Sequence, residues 1–229
     1  MPMRRIVADF LLHQCGMRHL HGTKTIKLIR TFLDDIELQH VKDSYPCQSF
    51  TAREQMYDYM QEHLIRGDAI DYLEFGVFEG ETIRYWVNLN KNMNSRFFGF
   101  DSFQGLPEEW RPTDPKGKFD TGGQLPRIDD ARVKFLKGWF DETIPSFVRE
   151  FSVKNRLVVH IDADLYSSTM LALVYLGPFL SKGDLIMFDE FCDHNHEFQA
   201  LQDWQRIYKK EYRITAKTTY YVQVCTELV

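Results

Sequence analysis

From residue 71 onward, the chain alternates short apolar runs with stretches of helical period. In the helical stretches apolar side chains recur every three or four positions, as at Phe198, Leu201 and Trp204. The other runs are short and continuously apolar, which is typical of strands buried on both faces. The pattern predicts strands at 71–75, 96–101, 133–137, 156–161 and 184–188. It predicts helices at 81–89, 143–151, 168–180 and 196–212.

This order of elements predicts the fold class. Buried strands that alternate with helices indicate a parallel sheet with helices on both faces. Residues 213–226 are rich in Thr, Tyr and Val and predict a closing hairpin. We therefore expect an α/β fold with a Rossmann-like, doubly wound, mostly parallel seven-stranded sheet and a C-terminal antiparallel hairpin.

Two segments fall outside this alternation. Residues 1–67 show helical spacing, for example at Ile26, Ile29 and Leu33, and predict an N-terminal helical cap before a main domain at 68–229. Residues 102–126 hold many Pro and Gly residues and have no regular period. A long irregular loop in a compact domain is often functional, so we expect this segment to form a lid.

Composition and charge limit the classes of partner that we expect this protein to bind. Apolar residues make up 44% of the chain, and 28 basic against 33 acidic residues give a net charge of -5. A nucleic-acid binder needs a basic face, so we expect no nucleic-acid partner. No apolar run approaches the ~20 residues that span a bilayer, so we expect no membrane partner. The four cysteines form no C-x-x-C pair, which favours reduced thiols in a cytoplasmic protein.

A glycine-containing turn after the first predicted strand indicates a nucleotide-like ligand. Glu74 ends that strand, and Gly76 and Gly80 bracket the turn into the next helix. Asp101 ends the second strand, where a carboxylate can accept hydrogen bonds from both hydroxyls of a ribose. A dinucleotide site prefers G-x-G-x-x-G, but Phe78 stands at the second glycine position. The turn therefore favours S-adenosylmethionine, which has no pyrophosphate to accommodate.

Acidic residues follow two later strands. Asp162 and Asp164 come after the strand at 156–161, and Asp189 and Glu190 come after the strand at 184–188. If these strands are neighbours, the four carboxylates converge and repel one another unless a cation relieves them. Carboxylate oxygens suit Mg²⁺, which could lower the pKa of a substrate hydroxyl. The alternative is that the acids at the strand ends are exposed to water.

Proton transfer at such a site has several candidates. Asp164 is the candidate general base, because it could act from outside the metal's ligand shell. His194 and His196 are second-choice bases or loop histidines. His160 lies within a buried strand and is expected to be structural.

Several ordered motifs resemble the macrocin O-methyltransferase family (TylF/MycF type). The resemblance covers residues 72–212 and includes the fairly specific Phe-Asp-Ser-Phe-x-Gly-Leu-Pro element at 100–107 and Gly-Trp-Phe at 138–140. Its other motifs lie at 74–80, 116–126, 143–145, 162–169 and 189–190. The resemblance implies a Mg²⁺-dependent class I methyltransferase that acts on a sugar hydroxyl.

The resemblance also implies residue roles. The metal ligands would be Asp162, Asp189 and Glu190, and Asp162 and Asp164 would be catalytic and could exchange roles. Asp101 would hold the ribose of the cofactor, and Gly138 and Trp139 would lie near its adenine. The full implied set for S-adenosylmethionine is Glu74, Gly76, Val77, Phe78, Gly80, Thr82, Asp101, Ser102, Phe103, Gly138, Trp139, Asp162 and Tyr166.

The expected reaction is therefore O-methylation of a sugar or glycosylated small molecule in natural-product biosynthesis, by an enzyme that forms a homo-oligomer. Three alternatives stay open at this point. The acceptor could be another hydroxyl compound, such as a catechol-like phenol. The protein could be an oxidoreductase that uses a dinucleotide or a nucleotide sugar, or a non-catalytic relative that keeps the fold.

Overall fold

The structure, a computed structural model, describes residues 47–229. Most of the predicted N-terminal cap therefore lies outside the described residues. The strands are β1 (Gln48–Phe50), β2 (Ile70–Phe75), β3 (Arg96–Asp101), β4 (Val133–Lys137), β5 (Arg156–Ile161), β6 (Leu185–Phe188), β7 (Tyr212–Thr218) and β8 (Val224–Leu228). The α-helices are α1 (Arg53–Tyr59), α2 (Glu81–Leu89), α3 (Phe140–Glu150), α4 (Tyr166–Leu176) and α5 (Glu197–Tyr208). A π-helix (Met60–Ile65) follows α1, and a short 3-10 helix (Thr219–Tyr221) lies between β7 and β8.

Within residues 47–229 the strands form one sheet in the order β1-β7-β8-β6-β5-β2-β3-β4. Strand β8 runs antiparallel to both β6 and β7, and the other described pairings are parallel. The doubly wound, mostly parallel sheet with its closing antiparallel hairpin is thus confirmed. The sheet has eight strands rather than seven, because the short strand β1 pairs with β7 at the edge.

Alternation along the strands places apolar side chains on both faces of the sheet. Leu73 and Phe75 of β2 belong to an apolar cluster that includes Leu173 of α4 and Trp204 of α5. Tyr72, which precedes Leu73, belongs to a second cluster on the opposite face, packed with residues of α1 and α2. Burying both faces explains why the central strands are continuously apolar in sequence.

A buried carboxylate fixes the starts of three central strands. Asp71 of β2 accepts hydrogen bonds from Arg96 Nε at 2.9 Å and from the backbone amide of Lys154 at 2.8 Å. Asn155, next to the start of β5, also donates its side-chain amide to Asp71. Burial would raise the pKa of Asp71, but these hydrogen bonds bring it below its ordinary value. The carboxylate is therefore ionised and holds the amino-terminal ends of β2, β3 and β5 together.

At the other end of the strands, the carboxyl ends of β2, β3, β5 and β6 lie side by side. Strands β5 and β6 are neighbours, with Ile161 opposite Phe188 at their ends. The acidic turns that follow these strands consequently meet, as the sequence predicted on the condition that the strands are adjacent. Among the described helices, none is both long and apolar enough to cross a membrane.

Candidate active site

A cavity of about 560 Å³ opens at the carboxyl edge of the sheet. Its walls come from the β2–α2 loop, the segment 102–126, the start of α3 and the two acidic turns. The predicted site residues in its lining are Gly76, Phe78, Asp101, Ser102, Trp139, Asp162, Asp164, Asp189 and Glu190. The predicted site residues outside its lining are Glu74, Val77, Gly80, Thr82, Phe103, Gly138 and Tyr166. The structure thus brings the predicted glycine loop and the predicted acidic cluster into one cavity.

Gly76 allows the β2–α2 loop to touch the acidic turn. Its φ is +94°, and a Cβ there would lie 1.7 Å from the backbone oxygen of Asp162. The amide of Asp162 in turn donates to Phe75 O at 2.9 Å, so the two segments are held together. The glycine is required by the close approach of the protein's own backbone, in addition to any approach by a ligand.

Asp101 shapes the same loop from the end of β3. Its Oδ2 accepts hydrogen bonds from the amides of Val77 and Phe78, both at 2.8 Å. Its Oδ1 accepts from the amide of Phe103 at 2.6 Å. The side chain therefore fixes the loop, while the carboxylate still lines the cavity. Contact with a ribose stays a prediction for this residue.

Four non-glycine residues at this site have left-handed backbone conformations. Phe78 has φ 51°, Phe103 has φ 57°, Phe119 has φ 67° and Asp164 has φ 58°. Such conformations cost bulky residues of order 1–3 kcal/mol and tend to occur at functional sites. The turns that carry them are held in shape by the surrounding contacts rather than by local preference.

The acidic residues converge as two overlapping groups. Potential ligand atoms of His160, Asp162 and Asp189 all lie within 4.8 Å of one another. Those of Asp162, Asp164 and Glu190 form a second such group, so Asp162 belongs to both. Asp189 is only 6% exposed, and the alternative that it caps a strand in open water is wrong.

Crowding and burial shift the pKa values of these acids. Burial, with Asp189 adding repulsion, raises the pKa of Asp162 and of Glu190 well above the ordinary range. Burial also raises the pKa of Asp164 to about 7, although Arg111 opposes the shift. For Asp189, burial acts upward but His160 and Arg53 bring the pKa below its ordinary value. The cluster therefore holds shared protons or a cation at neutral pH.

Two buried carboxylate oxygens in this cluster fit a metal ion. Within the described residues, Asp189 Oδ1 and Glu190 Oε2 have no hydrogen-bond partner. Buried polar atoms are rarely left unsatisfied, and a bound ion is one accepted explanation when they have no protein partner. The available atoms are carboxylate oxygens, which hard divalent cations such as Mg²⁺ prefer. These oxygens therefore suit such an ion, but the predicted ligands Asp162, Asp189 and Glu190 are divided between the two overlapping groups and do not form one group of their own.

His160 joins this cluster to the end of β2. It is 1% exposed; its Nε2 lies 3.7 Å from Asp189 Oδ1, and its Nδ1 lies 3.7 Å from Glu74 Oε2. Tyr72 Oη, which donates to Glu74, lies 3.1 Å from the same Nδ1. Burial would lower the pKa of His160, but Asp189 and Glu74 raise it to about 10. The protonated ring compensates two buried carboxylates, which agrees with the structural role expected for it.

Arg53 is a cavity residue that the sequence did not indicate. It lies on α1, within the segment predicted as the cap, and its Nη1 is 3.7 Å from Asp189 Oδ2. The guanidinium lines the cavity. Nothing in the local pattern of α1 distinguishes Arg53 from a surface arginine, because its partner Asp189 follows β6, far along the chain.

The segment 102–126, which we call the lid, covers the acidic turns. Leu106, Pro107, Trp110 and Phe119 of the lid line the cavity. Arg111 Nη2 lies 3.5 Å from Asp193 Oδ2. A second contact is the hydrogen bond that Ser167 Oγ donates to Glu108 Oε1 at 2.9 Å. The lid therefore contacts the first turn of α4 and the segment that follows β6, and its motion stays a prediction.

The second-choice bases and Tyr166 lie outside the cavity lining. His196 Nδ1 accepts a hydrogen bond from the amide of Tyr166 at 3.1 Å, so this ring atom is occupied. The Tyr166 hydroxyl donates to Asp203 Oδ2 at 3.2 Å. His194 is 1% exposed, and burial lowers its pKa. These positions favour Asp164 over either histidine as the base.

Comparison with known proteins identifies relatives for this chain. The profile of the family described as Macrocin-O-methyltransferase (TylF) matches residues 49–223. The 8-demethyl-8-(2,3-dimethoxy-alpha-L-rhamnosyl)-tetracenomycin-C 4'-O-methyltransferase of Streptomyces olivaceus is 29% identical over 170 residues, which cover 63% of this chain and 60% of that protein. The Mycinamicin III 3''-O-methyltransferase of Micromonospora griseorubida is 28% identical over 144 residues, which cover 53% of this chain and 55% of that protein.

The chain thus spans somewhat more than half the length of these two relatives. Among solved structures, the calicheamicin methyltransferase CalS11 superposes with a TM-score of 0.59 at 20% identity. The match covers 98% of this chain and 90% of that one. It shows that the two proteins share a fold.

Proposed function

The chain belongs to the macrocin O-methyltransferase (TylF) family, and from this premise we propose that it is an S-adenosylmethionine-dependent O-methyltransferase. The acceptor we propose is a hydroxyl of a sugar or glycosylated small molecule, and the required metal is a divalent cation such as Mg²⁺. One observation carries the proposal. The glycine loop with Asp101 and the acidic turns with two unsatisfied carboxylate oxygens share a single cavity.

The glycine-loop end of the cavity is suited to the methyl donor. Gly76 and Phe78 line it from the β2–α2 loop, and Asp101 and Ser102 line it from the end of β3. Trp139, at the start of α3, supplies an aromatic wall on the same cavity. Bound there, S-adenosylmethionine supplies an electrophilic methyl group on a positively charged sulfur. The nearby carboxylates favour that positive charge.

The acidic end is suited to the acceptor hydroxyl. Asp162, Asp189 and Glu190 would hold the divalent cation, which when bound lowers the pKa of a hydroxyl and orients it. Asp164 is positioned to take the hydroxyl proton, since its pKa of about 7 allows it to accept a proton near neutral pH. Arg111 stabilises the ionised form of Asp164 and comes from the lid.

The lid residues would exclude water and align the reactants. Leu106, Pro107 and Trp110 cover the cavity above the acidic turns. A methyl transfer needs the attacking oxygen in line with the bond between sulfur and methyl carbon, so the gain comes from positioning. A sugar acceptor is supported by the tetracenomycin relative, whose name specifies 4'-O-methylation of a rhamnosyl compound.

A turnover assay tests this proposal. The protein is incubated with S-adenosylmethionine, Mg²⁺ and a panel that includes methyl α-L-rhamnoside, rhamnosylated natural products and catechol. Formation of S-adenosylhomocysteine and the mass of the product are followed. We expect methylation of a sugar hydroxyl that stops in EDTA and returns when Mg²⁺ is added.

The variant Asp164→Asn tests the base in the same assay. Loss of a general base lowers kcat by roughly 10²–10⁴-fold, so we expect a fall in this range with cofactor affinity retained. Asp129→Asn is the matched control, because Asp129 is exposed and lies outside the cavity lining.

Full activity of the wild-type protein in EDTA would contradict the metal requirement. Methylation of catechol but of no sugar would contradict the acceptor class.

A further inference from the structure

One buried carboxylate connects the two acidic turns and has no place in the site as described so far. Glu197 is the first residue of α5 and is 0% exposed. Its Oε2 accepts a hydrogen bond from the amide of Glu190 at 3.0 Å. Its Oε1 accepts one from the amide of Ala163 at 3.4 Å. Ala163 lies between Asp162 and Asp164, so one side chain bridges the backbones of both turns.

The two amides that Glu197 bridges lie just beyond the last backbone hydrogen bond between β5 and β6. The β5–β6 ladder stops at Ile161 opposite Phe188, and the last backbone hydrogen bond between the two segments runs from Asp189 N to Ile161 O at 3.0 Å. Beyond that point the amides of Ala163 and Glu190 have no ladder partner. Buried amides need an acceptor, and Glu197 supplies one oxygen to each.

Satisfying two backbone amides with a carboxyl group costs free energy at this buried position. Glu197 is fully buried and lies close to Asp162 and Asp189, and placing a carboxyl group there costs free energy whether it is ionised or protonated. A residue needed only for packing at the start of α5 would be apolar. The presence of an acid whose two oxygens reach two different turns indicates that the distance between those turns matters.

We propose that Glu197 is a positioning residue for the metal site. It fixes the separation between the turn that carries Asp162 and the pair Asp189 and Glu190, so that the carboxylates present a ready-made set of oxygens to a divalent cation. Without the bridge, repulsion among the acids spreads the turns, and the cation must pull them together on binding. This inference rests on the divalent cation of the proposed function.

The test compares Glu197→Gln with the wild-type full-length chain. Glutamine keeps the size and one acceptor oxygen, but its NH₂ group faces one of the two backbone amides and cannot accept. Mn²⁺ is titrated into each protein without donor or acceptor, and free Mn²⁺ is followed by electron paramagnetic resonance. Loss of outer contacts to metal ligands typically costs 10–100-fold in affinity, so we expect Mn²⁺ to bind about 10-fold or more weakly.

Two further readouts separate positioning from a general packing role. We expect affinity for S-adenosylhomocysteine and the thermal unfolding midpoint in EDTA to stay near the wild-type values. Hydrogen exchange at the amides of Ala163 and Glu190 should be faster in the variant. Glu211→Gln is the matched control, since Glu211 is exposed and lies away from the cavity.

The possible outcomes are distinguishable. Wild-type Mn²⁺ affinity in Glu197→Gln would overturn the positioning role and leave the proposed function intact. A large fall in thermal stability in EDTA with unchanged Mn²⁺ affinity would assign Glu197 to packing and also overturn it. Failure of the wild-type protein itself to bind Mn²⁺ would overturn both the metal requirement and the inference built on it.

Discussion

Gly76 lets the β2–α2 loop contact the acidic turn after β5, because glycine has no side chain. A Cβ at this position would overlap the backbone oxygen of Asp162, and backbone cannot give way as a flexible side chain can. The loop that lines one end of the cavity is therefore in contact with the turn that lines the other. At the scale of single residues, we therefore expect a substitution in the β2–α2 loop to affect the acidic end of the cavity as well.

The substitution Gly76→Ala is expected to damage both binding functions. The added methyl group collides with the Asp162 turn and also strains a backbone at φ +94°, so we expect a loss of stability of about 2–4 kcal/mol and weakened binding of S-adenosylhomocysteine and Mn²⁺. Gly183→Ala is the control, because Gly183 has φ +91° but open space around its Cβ position. Chemical denaturation and calorimetry measure the difference. Equal effects of the two substitutions would show that strain, and not the contact with Asp162, dominates.

Sequence spacing located the individual residues of the site but not their partners. The position of Asp101 at a strand end was evident, since a buried apolar run stops there. Its hydrogen bonds to the amides of Val77 and Phe78 depend on how β3 aligns with β2. The charge of His160 likewise depends on two carboxylates from other strands. Such pairings arise from tertiary structure, and a single sequence carries no local signal for them.

At the scale of elements, the lid is a long described segment without a helix or strand of its own. It holds isolated bridges such as Gln104 with Asp120. Its polar contacts with the rest of the protein include Arg111 with Asp193 and Glu108 with Ser167. Segments without regular structure tend to open at low free-energy cost, so we expect the lid to open and to admit and release reactants.

Removing one docking contact should make lid opening more frequent. Arg111 is 25% exposed, packs its guanidinium 3.4 Å from the centre of the Trp110 ring and faces Asp193. Losing this partly buried charge contact in Arg111→Ala is expected to cost about 1–1.5 kcal/mol, or roughly 10-fold in the opening equilibrium. Hydrogen exchange across residues 102–126 measures it. Lys116→Ala removes the same charge from an exposed lid position and should leave hydrogen exchange unchanged. Equal increases in exchange in the two variants would mean that the charge of the lid, and not the contact with Asp193, holds it closed.

The buried strands of the sheet were predictable because burial on both faces leaves a continuous apolar signature. Arg96–Asp101 and Arg156–Ile161 have the predicted bounds, and so does the edge strand Val133–Lys137, which is only partly buried. The helix Glu81–Leu89 also has its predicted bounds, whereas the ends of the other three predicted helices moved by one to four residues. Strand β1 was missed within the predicted cap, because three residues show no period and Gln48–Phe50 is a strand only through its pairing with β7.

At the scale of the whole molecule, the fold brings two chemically different ends of one cavity together. The carboxyl ends of β2 and β3 supply the end suited to a methyl donor, and those of β5 and β6 supply the acidic end. The protein already carries a net charge of -5, and several of its acids are buried at this edge. A divalent cation and a positively charged sulfonium both relieve that accumulation of negative charge.

The most direct test of the central claim is a calorimetric titration of the wild-type protein with S-adenosylhomocysteine in Mg²⁺ buffer, repeated with NAD⁺. We predict that S-adenosylhomocysteine binds at one site per chain and that NAD⁺ gives no binding heat, because Phe78 stands where a pyrophosphate loop needs a second glycine. Binding of NAD⁺ without binding of S-adenosylhomocysteine would contradict the account.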